Sequence, residues 1–281
     1  RTESPAAAPE PASGAPGPGP SAVGAQDIPG VSHVIAVASG KGGVGKSTVA
    51  VNLALALAAR GLRTGLLDAD VYGPSTPKML GTEDARPQAT QQETIVPIEV
   101  HGLKTMSIGY LLEDDSPVIW RGPMVTGLLR QFLFQVEWGE LDYLVLDLPP
   151  GTGDAQLTLV QSIALAGGVI VTTPQDVALL DVQRGIQMFQ RTNVPILGVL
   201  ENMSGFECSS CGHVTEIFRG GGGEDAAKRY SVPFLGKIPL EPQTALSCDG
   251  GKPVMLSDPT GSLGSVMTSA CEQIVSLVAA D

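Results

Sequence analysis

One short segment constrains this chain more than any other. Gly40-Lys41-Gly42-Gly43-Val44-Gly45-Lys46-Ser47 fits the pattern G-x-x-x-x-G-K-[ST]. An apolar run, residues 34–38, precedes it, and a stretch rich in Ala and Leu, residues 47–59, follows. Strand, loop and helix in that order are the context the pattern requires. The glycines let backbone N–H groups turn towards an anion, and the helix N-terminus adds partial positive charge. The segment predicts a nucleoside triphosphate site. Lys46 would reach the β- and γ-phosphates, and Ser47 would ligate Mg²⁺. Lys41 is a second lysine that such a loop does not need. It is either a solvated loop charge or a cation placed across a dimer interface, where it would stabilise charge on the transferring phosphoryl group.

The rest of the chain repeats the strand–helix alternation. Apolar runs at 64–67, 143–146, 169–172, 196–200 and 234–238 read as strands. Residues 125–136, 178–189 and 264–279 read as helices, and 95–100 with 103–108 as a hairpin inserted in the series. The predicted fold class is α/β: a mostly parallel sheet with helices on both faces, a P-loop NTPase in one domain over 29–281. Ligands in such folds lie beyond the carboxyl ends of the strands. The polar motifs fall there: the glycine loop, Asp68, Asp70, Asp147 and Asn202. Residues 1–28 differ in kind. They hold six Pro, seven Ala and four Gly and few large apolar side chains. Such a segment cannot offset its own ordering entropy, so it reads as a disordered tail or a linker to an upstream domain.

Further motifs carry a resemblance. The loop extended to G-K-G-G-V-G-K-S-T resembles the deviant Walker A group of dimeric ATPases, which includes the nitrogenase iron protein, MinD and ParA. Within that group the chain resembles the Mrp/ApbC family of iron–sulfur cluster carriers. The stretches that carry this are Asp68-Ala69-Asp70-Val71-Tyr72-Gly73-Pro74-Ser75, Trp120-Arg121-Gly122-Pro123-Met124, Asp147-Leu148-Pro149-Pro150-Gly151-Thr152-Gly153-Asp154, Thr173-Pro174-Gln175-Asp176 and Glu201-Asn202-Met203-Ser204. The resemblance implies a slow, switch-type ATP hydrolase. Its nucleotide-binding residues would be Gly40, Lys41, Gly42, Gly43, Val44, Gly45, Lys46, Ser47 and Thr48, with Asn202 and Pro239 against the adenine. Its catalytic residues would be Lys41, Lys46 and Asp70, the last positioning the attacking water. Asp147 would contact Mg²⁺ through water, and Asp68 would support Asp70 or the metal. Taken alone, each aspartate reads equally as a cap or turn residue.

Cys208-Ser209-Ser210-Cys211 is a C-x-x-C turn, which lets two thiolates face one metal centre. Two ligands complete neither a tetrahedral zinc site nor a cubane cluster. A C₂ dimer doubles the count to four around one shared centre. That matches what the resemblance implies: a [4Fe–4S] cluster between two subunits, passed on to apo iron–sulfur proteins. A zinc site within one chain, from Cys208, Cys211, His213 and a distant cysteine, is the alternative ligand set. Cys248 and Cys271 have no motif partner and read as core residues.

Charge decides between function classes. The chain has 29 acidic and 17 basic residues, a formal net charge of −12. That balance disfavours nucleic acid, whose phosphates are held by Lys and Arg. A MinD-like positioning ATPase needs a basic amphipathic C-terminal helix, yet no Lys or Arg follows Lys252. A ParA-like one needs a basic DNA-binding face. Neither use explains the cysteine pair. No apolar stretch approaches the roughly 20 residues of a membrane span. The start carries neither a secretory h-region nor the charge pattern of a presequence, so the expected compartment is the cytoplasm.

Overall fold

The computed structural model describes residues 25–112, 122–208, 210–218 and 221–280. Most of the Pro/Ala/Gly-rich segment and the Trp120-Arg121 pair lie outside the described residues. The last residues of that segment pack onto the fold. Ile28 is buried in the core, and the Gln26 N–H donates to the Ser162 carbonyl at 3.1 Å.

The elements in chain order are β1 (Val31–Ala38), α1 (Lys46–Ala59), β2 (Thr64–Asp68), α2 (Thr76–Leu80), β3 (Gln88–Ala89), β4 (Ile95–Val96), β5 (Ile98–Val100) and β6 (Leu103–Ser107). There follow α3 (Gly122–Phe134), β7 (Leu141–Asp147), α4 (Asp154–Ser162), β8 (Gly167–Thr172), α5 (Asp176–Arg191) and β9 (Ile196–Glu207). The chain ends with β10 (Val214–Thr215), α6 (Gly222–Tyr230), β11 (Phe234–Leu240), α7 (Pro242–Asp249), α8 (Val254–Ser257) and α9 (Ser262–Val278).

The main sheet runs β10-β9-β8-β1-β7-β2-β6-β5, with β11 also on β9. Its pairs are parallel except β5 with β6 and β10 with β9. β1 lies between two later strands, β7 and β8. The loop leaving its carboxyl end therefore opens where the strand order reverses, the place such sheets bind ligands.

Each sheet face has its own core. On one, α1, α8 and α9 bring Leu53, Leu57, Met267 and Ile274 against Ile35, Val37 and Val145. On the other, α3, α4 and α5 bring Leu129, Phe132, Leu159, Ile186 and Phe189 against Ala36, Leu144 and Ile170. Each of these Leu, Ile, Val, Met and Phe side chains contributes about 1.5–3 kcal/mol by leaving water. α1 is buried from Val49 to Leu57, including the one polar residue there, Asn52. Its amide donates to the Thr48 carbonyl at 2.8 Å and accepts from the Met255 N–H at 3.0 Å, so the buried polar group is satisfied and anchors α8.

Two expectations need correcting. The hairpin turns at His101-Gly102 as expected. Its second arm, however, joins the main sheet parallel to β2, and its first arm is broken at Pro97 into β4 and β5. β9 does not end near Leu200. It continues through Glu201 and Asn202 to Glu207, because β11 and β10 pair with its extension.

Candidate nucleotide site and cysteine pair

The glycine loop joins the carboxyl end of β1 to the first turn of α1. Gly43 and Gly45 have φ of 79° and 82°, a conformation glycine adopts without strain. Space also requires Gly45: a Cβ there would lie 2.2 Å from the Asn202 amide nitrogen. That amide donates to the Val44 carbonyl at 2.8 Å, while the Val44 side chain is buried. The loop borders a cavity of about 210 Å³. Ser39, Lys41, Gly42, Gly43, Gly45, Lys46, Ser47 and Thr48 line one side, and Asp70, Ser75, Met79 and Pro150 the rest. Gly40, Val44, Asn202 and Pro239 are absent from this lining. Pro239 lies on β11, and the Asn202 amide nitrogen is committed to the loop itself.

Asp68 and Asp147 end adjacent parallel strands in register. The Lys46 ammonium lies 2.5 Å from Asp147 Oδ1, 3.4 Å from Ser47 Oγ and 4.0 Å from Asp70 Oδ2. Burial pushes the Asp147 carboxyl above its ordinary range, and Lys46 opposes that shift. Asp147 Oδ2 and Asp70 Oδ1 are buried without a hydrogen-bond partner, as are the hydroxyls of Ser75 and Thr76. Orphaned carboxylate oxygens beside a phosphate-sized cavity are the donor set a hard, oxygen-seeking dication takes. Ser47 and Asp147 thus fit Mg²⁺, with Asp70 Oδ1 free beside them to position a water.

Asp68 is differently employed. Its Oδ1 accepts from the Asp70 N–H at 3.1 Å. Its Oδ2 accepts from the N–H groups of Ser75 and Thr76 at 3.1 Å and from Ser107 Oγ at 3.0 Å. Both oxygens serve the protein. Asp68 holds the segment that presents Asp70 and Ser75, which favours the supporting role over the metal role. Burial, with Asp147 beside it, pushes its carboxyl up to about 7.

Lys41 Nζ donates to Gln175 Oε1 at 3.1 Å, just before α5. Sequence reasoning had left Gln175, Ser75, Met79 and Pro150 without a role. All but Met79 belong to the quoted motifs, which was the available signal.

The cysteine pair lies off the carboxyl end of β9, in the connection to β10. Cys208 is half-buried and Cys211 exposed, both with free thiols. The turn is closed by the Gly212 N–H on the Cys208 carbonyl at 2.8 Å and the Cys208 N–H on the His213 carbonyl at 3.0 Å. The backbone N–H groups of Ser210 and Cys211 hydrogen-bond the Cys208 thiol and hold it below the usual cysteine range. Among the described residues no three His, Cys, Asp or Glu side chains gather as a metal set. The single-chain zinc alternative is therefore not assembled. Cys248 and Cys271 are buried in α7 and α9, and burial pushes the Cys271 thiol up to about 11.

The model of the NUBPL iron-transfer P-loop NTPases, within the ParA group, matches residues 30–275. This chain belongs to that NTPase family. Its similarity to relatives spans most of the chain. An iron–sulfur cluster carrier protein of Escherichia coli is 53% identical over 247 residues, 88% of this chain and 67% of the relative. One of Pseudomonas fragi is 53% identical over 240 residues, 84% of each. Among solved structures, the nucleotide-binding protein of Archaeoglobus fulgidus in complex with ADP is 39% identical, with a TM-score of 0.74 over 84% of this chain and 91% of that one. The cell division ATPase MinD of Pyrococcus furiosus, 20% identical with a TM-score of 0.64 over 87% of this chain and 99% of that one, shares the fold. The NUBPL-type assignment and the glycine loop agree: this is a P-loop NTPase fold with its glycine loop at the switch point.

Proposed function

We propose that this chain is an ATP-dependent carrier that holds a [4Fe–4S] cluster between two copies of itself and passes it to apo iron–sulfur proteins. The observation that carries this reading is the half-complete ligand set. Cys208 and Cys211 stand on a surface turn, and no third side chain joins them in a metal-holding group among the described residues. A second copy brings the set to the four thiolates a cluster takes. Relatives about half identical over most of the chain are named iron–sulfur cluster carrier proteins, which supports the same reading.

The nucleotide side follows from the residues present. Backbone N–H groups of the loop and the first turn of α1, with Lys46, neutralise and orient the phosphates. Ser47, with Asp147 acting through water, would hold Mg²⁺, which would supply neutralising charge to the phosphates. Asp70 orients the attacking water, and Lys41, once released from Gln175, reaches the partner's nucleotide. The chemistry is slow because its use is to switch the segments bearing Asp70 and Asp147 between two arrangements. The cytoplasm, which keeps thiols reduced, is the working compartment. Among the described residues no helix is long and apolar enough to cross a membrane. The alternative of a membrane-positioning ATPase draws no support from α9, whose apolar side packs on α1.

The test is transfer. Cluster-loaded protein mixed with an apo-ferredoxin should pass on its cluster at a rate that depends on ATP and Mg²⁺. Equal rates with and without nucleotide, or no transfer, contradict the reading.

A further inference from the structure

One buried carboxylate lies between the phosphate loop and the cysteine pair. Glu201, on β9, is fully buried. Its Oε1 accepts from Ser204 Oγ at 2.5 Å, and its Oε2 from the Gly223 N–H at 2.6 Å. Ser204 precedes Cys208 by four residues, and Gly223 follows Cys211 by twelve, in the first turn of α6. The chain leaves Glu201, passes through both cysteines and returns, and this single side chain holds both ends of the excursion.

The packing leaves little slack. A Cβ on Gly223 would stand 3.0 Å from Glu201 Cβ, Glu201 Oε2 and Thr172 Cγ2. The Ser204 bond spans Met203, whose φ of 57° is costly for a residue with a side chain unless its surroundings fix it. The very next residue, Asn202, donates to the Val44 carbonyl of the phosphate loop at 2.8 Å. Consecutive residues of one strand thus grip the nucleotide loop and the base of the cysteine segment.

We infer that Glu201 is a positioning residue that ties both ends of the cysteine segment to the strand end gripping the phosphate loop, so that nucleotide binding changes the accessibility of Cys208 and Cys211. This rests on the carrier reading only for what the thiols hold. A nucleotide that shifts the loop differentially shifts Asn202, and the Glu201 clamp carries that shift to the segment.

The test uses the metal-free full chain and iodoacetamide, with labelling of Cys208 and Cys211 followed by peptide mass spectrometry with and without Mg²⁺–ATP. The wild type should label at two different rates in the two states. E201Q should still fold and bind ATP, yet label roughly ten-fold faster, the factor expected when a charge-assisted hydrogen bond is lost, and respond no longer to nucleotide. Wild-type labelling that ignores nucleotide, or E201Q rates matching the wild type in both states, overturns the inference. Should E201Q not fold, S204A decides: faster labelling with a weakened nucleotide response supports the clamp, and unchanged labelling overturns it. Because no cluster is present, a negative result leaves the carrier reading standing. Loss of cluster binding with a normal labelling response sinks only the carrier reading.

Discussion

Lys46 and Asp147, 101 residues apart in the chain, form a buried ion pair 2.5 Å long, and the other Asp147 oxygen has no partner. In the proposed site, the cation that would bind phosphate rests against the carboxylate that would face the metal. Asp147→Ala leaves the Lys46 ammonium, 6% exposed, with the Ser47 hydroxyl at 3.4 Å and the Asp70 carboxylate at 4.0 Å. Removing one member of a buried pair costs about 3–5 kcal/mol. Urea unfolding of the nucleotide-free variant should show that loss together with lost ATP hydrolysis. A loss under about 1 kcal/mol would mean that water, and not Asp147, compensates Lys46.

Gln175 holds Lys41 by one partly buried hydrogen bond. If Lys41 must leave it to reach a partner's nucleotide, two variants move in opposite directions. Gln175→Ala should raise steady-state hydrolysis, by roughly two- to ten-fold from the usual worth of such a bond. Gln175→Glu should lower it, and added salt should relieve the effect. Loss of activity in both variants would assign Gln175 a purely structural part.

Gly45→Ala places a methyl group 2.2 Å from the Asn202 amide nitrogen, at a φ of 82°. The backbone term alone costs about 1–2 kcal/mol. ATP affinity, measured by calorimetry, should fall at least about ten-fold. Adding Asn202→Ala should recover part of that loss, since only the clash is relieved. Full recovery would show that the backbone conformation contributes nothing.

Glu224 bridges Lys228 and Lys237 at 2.8 Å each, tying α6 to β11, and these lysines draw its carboxyl down to about 2. A depressed folded pKa gives stability that is present above the ordinary glutamate pKa and lost as pH falls through the folded value. The stability difference between wild type and Glu224→Gln, from urea midpoints, should therefore shrink as pH falls from 6 towards 2. High salt should shrink it at every pH, because the pair is exposed. A difference that grows on acidification contradicts the assignment.

Much of the candidate site's geometry was legible because its signals are local. Glycines at fixed offsets, a helix-starting lysine, an aspartate closing an apolar strand and a C-x-x-C turn each act through nearby backbone. What the sequence hid is set by distant partners. Asp68 draws its donors from residues 70, 75, 76 and 107, and no spacing reveals that both its oxygens are taken. Glu201 and Asn202 read as the polar end of a strand, yet pairing with β10 and β11 carries the strand past them. α6 was missed because four consecutive glycines, Gly220 to Gly223, mask its start. Its exposed face is charged, and its buried one rests on Gly223, Ala226 and Ala227, too small to give an apolar stripe.

The most direct measurement is iron and sulfide content together with sedimentation mass, on anaerobically reconstituted wild type and on C208A/C211A. The account predicts a wild-type dimer with four iron and four sulfide per pair of chains, and a double variant that holds neither. A metal-loaded wild type that sediments as a monomer, or a double variant that keeps its iron, would contradict it.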